Sequence, residues 1–352
     1  MPRILVLHTG GTLMMRADGL SAGGSAGGAR LSSVLTRDGG ALTPDVYGRD
    51  LAAELPSLLR IAELQTRILF TMDSGDMQPP DWITIAREVH ASVSDPSFDG
   101  VVIVHGTDTM AYSAGALALL LGPLPKPVVF TGAQRPLVDA RTDARENLIN
   151  AVLVATLPVP EVTVAFASRA LRGARATKRD AWAFDAFDSP NCDPLVELGV
   201  GVDVGPHVRA GAPLAPFDER LEPGVLAVRV FPGIQPSLLR AAIHAGVRGL
   251  VLEAYGSGNV PHLQGSLVPV IAEAQERGVP VLVVSQCLRG FIDMNAYAGG
   301  AEAKAAGAIS GGDMTVEAAI AKLMIGLGRY SDPVALRGWL DRDVIGERTG
   351  TA

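Results

Sequence analysis

The sequence predicts an α/β fold: a larger N-terminal domain built on a mostly parallel open sheet, and a smaller C-terminal α/β domain. Three observations carry this expectation. Short runs rich in Val, Ile and Leu alternate with segments of helical spacing. Polar, glycine-bearing motifs sit where several of those runs stop. One long stretch rich in Pro and Gly, without any sustained period, interrupts the alternation once.

The elements follow in order. Arg3–His8, Gly100–His105, Pro127–Thr131 and Glu161–Ala167 read as strands buried on both faces, because they are apolar without alternation. Trp82–Ser94, Met110–Leu121 and Ala144–Thr156 read as the helices between them. That order argues for a parallel sheet covered by helices on both faces. From Gly199 to Gly224 the chain carries Pro206, Pro213, Pro216 and Pro223 among glycines, as an inter-domain connection would. The alternation then resumes with strands Val225–Phe231, Gly249–Glu253 and Val279–Ser285 and helices Ser237–Ala245 and Ser266–Glu276. A final helix is expected near Met314, with Asp313 and Glu317 forming an acidic first turn. The expected division is residues 1–205 for the N-terminal catalytic domain, 206–224 for the linker and 225–352 for the smaller domain. Residues 17–42 are rich in Gly, Ala and Ser and bury little, so they read as a mobile segment next to the first glycine turn.

Composition narrows the function. The 352 residues are 48% hydrophobic and 19% charged, with a net charge of −7 and no Lys/Arg run longer than two, which argues against a nucleic-acid partner. The longest apolar stretch, Ala114 to Leu121, is far short of a membrane span. Two distant cysteines, Cys192 and Cys287, suit a reducing compartment and cannot by themselves build a zinc site, so a cytoplasmic protein is expected.

The chemistry is expected at the strand ends. Thr9-Gly10-Gly11-Thr12 follows the first strand, and its glycines permit a turn with unusual backbone angles. Thr12 then offers a hydroxyl beside backbone N–H groups suited to an oxyanion. His105-Gly106-Thr107-Asp108-Thr109 adds a second hydroxyl next to a carboxylate, and Thr131-Gly132-Ala133-Gln134-Arg135-Pro136 ends a third strand. A threonine hydroxyl needs a base, and Lys178 is the candidate, since lysines are scarce and it follows the basic stretch from Arg172. His105, at the end of a buried strand, reads as a structural hydrogen-bonder. In Met72-Asp73-Ser74-Gly75-Asp76-Met77, Ser74 is suited to a substrate carboxylate and Asp76 to capping a helix that begins near Pro80. Gly-Gly-Thr lacks the G-x-G-x-x-G spacing of a dinucleotide site.

Taken together, these motifs resemble the bacterial-type L-asparaginase family, and within it the type I, cytoplasmic branch. Thr9–Thr12 and His105–Thr109 look like its two signature motifs. Met72–Met77, Thr131–Pro136, Arg172–Lys178, Phe184–Asn191 and Gly311–Ala318 are similar to further segments, in the family's order. The resemblance implies hydrolysis of L-asparagine to aspartate and ammonia through a β-aspartyl ester on Thr12. It implies a second triad of Thr107, Asp108 and Lys178, and substrate binding by Asp73, Ser74 and Asp108. It further implies homodimers, often paired into tetramers, and no metal or cofactor. Two departures stand out. The family's loop tyrosine is replaced by Leu20 or Ala41-Leu42, leaving Tyr47 as the nearest stand-in. Glu253 occupies the place of an arginine that some members use for activation by asparagine, which implies that this activation is absent. A glutaminase–asparaginase, the amidase component of a transamidation system and a non-catalytic amino-acid-binding sensor of the same fold are the alternative readings.

Overall fold

In a computed structural model, the structure describes residues 1–11, 13, 51 and 55–349. Thr12, Tyr47 and the Gly/Ala/Ser-rich segment at 17–42 lie outside the described residues. The chain divides into two compact units: Met1–Asp188 with Asp193–Phe217, and Ser189–Cys192 with Asp218–Ala352.

The N-terminal unit is built on an eight-stranded sheet. Its strands are β1 (Arg3–Gly10), β2 (Glu63–Met72), β3 (Gly100–Val104), β4 (Val128–Thr131), β5 (Val162–Phe166), β6 (Arg169–Arg172), β9 (Val196–Leu198) and β10 (Val202–Val204). A separate ladder pairs β7 (Thr177–Lys178) with β8 (Phe187–Asp188). The order across the large sheet is β10-β9-β6-β5-β4-β3-β1-β2. Strands β1 to β5 run parallel, whereas β6, β9 and β10 add an antiparallel edge. That edge is absent from the sequence reading because its strands are three or four residues long, too short to show a period.

Helices α1 (Pro79–Ser94), α2 (Met110–Leu121) and α3 (Ala144–Val154) connect the parallel strands. Alternation along β1 and β3 sends Ile4, Val6, Val102 and Val104 into one apolar cluster with Ala144, Leu148, Ala151 and Val152 of α3. Leu5, Leu7, Val101 and Ile103, on the opposite face, are equally buried. Burial on both faces is the physical reason these strands are apolar throughout.

Strand β2 behaves differently. Among the described residues it pairs only with β1, at the sheet edge, and most of its residues are half-buried. Its polar sequence Glu63-Leu64-Gln65-Thr66-Arg67 reflects that position. The helix after it also starts differently from expectation. Gln78 is the residue before α1, and its backbone N–H donates to Asp81 Oδ2 at 2.8 Å, so Asp81 rather than Asp76 caps that helix.

The C-terminal unit holds a four-stranded parallel sheet ordered β11-β12-β13-β14, from Val225–Arg229, Gly249–Ala254, Val281–Ser285 and Ile309–Ser310. Its helices are α4 (Pro236–His244), α5 (Val268–Glu276), α6 (Ala298–Ala305), α7 (Val316–Arg329) and α8 (Pro333–Asp341). The helix expected near Met314 is α7, capped by the Thr315 side chain, which accepts from Ala318 N. It is followed by a further helix, α8, capped by Asp332. Helix α6 was missed because Ala298-Gly299-Gly300-Ala301 carries neither a strong period nor good helix formers. Residues 205–224 contain no helix or strand. Part of this segment packs against α1, where His90 Nε2 meets Ala215 O at 2.9 Å and the His90 and Phe217 rings lie 5.5 Å apart.

Candidate active site

The parallel strands deliver their polar motifs to one edge of the N-terminal sheet. At the end of β1, Gly10 and Gly11 have φ of 111° and 87°, a region that favours glycine. Gly11 N–H donates to Met72 O at the end of β2, at 3.2 Å. Thr9 Oγ1 donates to Val104 O at 3.0 Å, tying the ends of β1 and β3 together. A Cβ on Gly11 would lie 2.5 Å from Gly106 Cα, so the two motif loops meet backbone to backbone. His105 N–H in turn donates to Thr131 O at 2.8 Å, bringing in the end of β4. Four strand ends thus converge, as ligand sites of open parallel sheets require.

Asp73 and Ser74 arrive from β2. Asp73 caps a 3₁₀ turn over Ser74–Asp76, its Oδ1 accepting from Gly75 N at 2.9 Å. Ser74 is 3% exposed and lies against the loop after β3: Thr109 Oγ1 donates to Ser74 O at 2.8 Å. A Cβ on Gly106 would fall 2.5 Å from Ser74 Oγ, so only glycine fits beside it.

Thr107, Asp108 and Lys178 meet directly. Lys178 Nζ lies 2.8 Å from Thr107 Oγ1 and 2.7 Å from Asp108 Oδ1. The Thr107 hydroxyl donates to Gln134 Oε1 at 3.1 Å, while Gln134 Nε2 donates to Ala183 O at 3.3 Å. The Thr107 and Lys178 side chains are shielded, and Asp108 faces outward with 71% of its side chain exposed. Gln134 Oε1 therefore accepts the Thr107 O–H while Lys178 donates to the same hydroxyl oxygen. Gln134 is held by the Asp143 carboxylate, which accepts from Gln134 N at 2.9 Å and from Asn147 Nδ2 at 3.0 Å. A cleft of about 630 Å³ opens beside Gln134, walled in part by Arg141, Trp182 and Phe184.

Lys178 sits on the two-stranded β7–β8 ladder, opposite Phe187. Four charges clamp that ladder. Asp185 pairs with Arg169 and Arg179, each at 2.6 Å, and Asp188 pairs with the same two arginines at 3.3 and 3.4 Å. The sequence reading gave no role to Gln134 or to these four residues. The available signal for Gln134 was its place in a strand-end motif.

His105 is a structural group. Its ring is fully buried, with Nδ1 2.7 Å from Gly106 O, Nε2 3.0 Å from Met77 Sδ, and its centroid 5.6 Å from that of Phe130. Burial lowers its pKa to about 4, so the ring is neutral near pH 7. A neutral imidazole has one N–H, and the carbonyl is the better acceptor, which places the proton on Nδ1. Among the described residues, no three His, Cys, Asp or Glu side chains group as metal ligands, and no helix is long and apolar enough to cross a membrane.

The arrangement can bind charged groups and move a proton among Lys178, Asp108 and Thr107. Thr12 and Tyr47 are not placed, lying outside the described residues; the chain neighbours of Thr12 are fixed through Gly11 N–H and through Leu13 O, which accepts from Leu137 N at 2.8 Å.

Comparison with known proteins matches two family models in series. Residues 3–209 match "Asparaginase, N-terminal" and residues 224–340 match "Glutaminase/Asparaginase C-terminal domain". L-asparaginase 1 of Escherichia coli strain K12 is 42% identical over 287 residues, covering 79% of this chain and 82% of that protein. A glutamyl-tRNA(Gln) amidotransferase subunit from Methanothermobacter thermautotrophicus is 34% identical, covering 99% of this chain and 77% of the relative. Among solved structures, the thermostable L-asparaginase of Thermococcus kodakarensis superposes with a TM-score of 0.84 at 35% identity, covering 99% of this chain and 100% of that one. L-asparaginase I of Vibrio cholerae gives 0.84 at 33% identity, covering 99% of each.

Proposed function

The chain belongs to the asparaginase family of hydrolases, and from that membership we propose that it hydrolyses L-asparagine to L-aspartate and ammonia through a threonine ester. In this reading Thr12 Oγ attacks the side-chain amide carbon. The tetrahedral intermediate collapses to a β-aspartyl ester as the amide nitrogen takes a proton and leaves as ammonia. Water then attacks the ester carbonyl, and the proton it loses returns the threonine hydroxyl as aspartate departs.

The observation that supports this most is Lys178 Nζ within hydrogen-bond distance of both Thr107 Oγ1 and Asp108 Oδ1. In its amine form Lys178 can take a proton from Thr107 or from the attacking water and hand it on. Asp108 is the acceptor that holds the lysine between transfers. The Asp108 carboxylate is exposed, and with Asp73 it suits the α-ammonium of a free amino acid; Ser74, at the base of the same loop, suits the α-carboxylate. A site that reads both charged ends of its substrate rejects analogues lacking either.

Cytoplasmic residence and assembly as a homodimer or homotetramer belong to the same proposal. Both cysteines are free thiols, which fits a reducing compartment. With Glu253 in place of the family arginine, velocity is expected to rise hyperbolically with asparagine; a sigmoidal curve would contradict that.

A coupled ammonia assay with L-asparagine and L-glutamine tests the substrate. Asparagine is expected to be turned over in preference. A greater kcat/KM for glutamine would favour the glutaminase–asparaginase reading. Binding of asparagine without ammonia release would favour the sensor.

A further inference from the structure

A second cavity lies within the C-terminal unit. It has a volume of about 770 Å³ and is lined by residues that include Asn191, Phe291, Ser310, Asp313, Asp341 and Arg348. That size falls within the range of small-molecule sites. Ser310 ends β14 and Phe291 follows β13, so the cavity opens at the carboxyl ends of two parallel strands, where such sheets bind ligands.

Arg348 is the unusual group. It is 6% exposed, and its Nη1 donates to the carbonyls of Leu340 at 3.1 Å and Ser310 at 3.3 Å. Its buried Nε has no hydrogen-bond partner, and the guanidinium forms no ion pair among the described residues. The guanidinium lies against the backbone of Gly312, whose φ of +65° and missing side chain permit the approach; a Cβ there would be 2.8 Å from Nη2. The neighbouring Glu347 does not compensate it, because Lys322 and Glu347 are fully buried and pair with each other at 2.6 Å. Buried charges are ordinarily paired, and a charge left over beside a cavity points to an anionic ligand group.

The rim carries the opposite sign. Asp313 is held in place by Thr349, which donates to it from N at 2.7 Å and from Oγ1 at 2.5 Å. The Asp341 side chain is 52% exposed, with Arg337 no nearer than 3.9 Å. A purely anionic ligand would be repelled by these carboxylates, whereas a molecule with a carboxylate at one end and an ammonium at the other satisfies both signs. We propose that this cavity is a binding site for a small zwitterion, an α-amino carboxylate, whose carboxylate meets Arg348 and whose ammonium meets Asp313 and Asp341. The site shares no residue with the Thr107–Lys178 cluster, and the proposal does not rest on the hydrolytic reading.

The test uses the full chain with Phe291→Trp as a fluorescent reporter, titrated with glycine, acetate and ethylamine. The response of the Phe291 parent is subtracted to remove signals from the native tryptophans. Glycine is expected to give a saturable change, with acetate and ethylamine each weaker. Arg348→Met in the same background should weaken glycine roughly tenfold or more. If Arg348→Met does not fold, Asp341→Asn, on the exposed rim, should weaken glycine while leaving acetate no weaker. No saturable glycine response, a response unchanged by both substitutions, or acetate binding as tightly as glycine would overturn the proposal.

Discussion

Two histidines in the N-terminal unit make its stability fall in mild acid. His8 on β1 and His105 after β3 are both 0% exposed, and burial lowers each pKa from 6.5 to about 4. In the unfolded chain both protonate near 6.5, while in the folded chain they stay neutral until about pH 4. Between those values the unfolded state binds more protons, so stability declines as pH falls through that window and levels off below it. At pH 4.5 each histidine accounts for about 2.5 kcal/mol of lost stability, and the two together for about 5 kcal/mol. That is a large share of the net stability of an ordinary domain. The assay is a pH titration of the six histidine ring signals by NMR, with His8→Gln and His105→Gln used for assignment. The His8 and His105 signals should show no protonation above about pH 5, and the His105 nitrogen shifts should report the proton on Nδ1. A midpoint near 6.5 for either assigned signal would refute the argument, as would the Nε2–H form for His105.

Three further substitutions probe other parts of the structure. Lys178→Met should reduce kcat for asparagine by roughly 10²–10⁴-fold with the circular dichroism spectrum unchanged, and a loss under tenfold would remove Lys178 from the proton path. Gly106→Ala puts a Cβ 2.5 Å from Ser74 Oγ, so it should cost activity and roughly 1–3 kcal/mol of stability, read by urea unfolding; a neutral result would show that the two loops are not in contact. Glu347→Ala leaves Lys322 buried without its carboxylate and deprives Val344 N and Ile345 N of their acceptor. It should cost about 3–5 kcal/mol, while the double variant Lys322→Met/Glu347→Leu recovers most of that loss in thermal unfolding. A double variant no more stable than Glu347→Ala would contradict the account.

The strands that carry the site were legible because burial on both faces leaves a plain apolar signature: Val101–Val104 and Val128–Phe130 could hardly be anything else. The motifs were legible for a related reason. A Gly-Gly or Gly-Thr-Asp after an apolar run has no use in a core, so it marks the place where a strand ends. Edge elements were harder. Glu63–Met72 is half-polar, and among the described residues only β1 pairs with it, while β6, β9 and β10 are too short to show a period. The partners that orient the site were hidden for a different reason. Gln134 meets Thr107, and Arg169 meets Asp185 and Asp188, through pairings that depend on the sheet order rather than on local spacing. Arg348 is the extreme case: in sequence it is one arginine near the end of the chain, and only the fold shows that it is buried with no ion pair among the described residues.

The most direct test of the central claim is ammonia release from L-asparagine by the purified chain and by Thr12→Ala, measured side by side. The account predicts steady turnover by the parent and its loss in the variant, with asparagine still bound by calorimetry. Turnover that survives in Thr12→Ala would contradict the threonine ester and move the nucleophile elsewhere in the site.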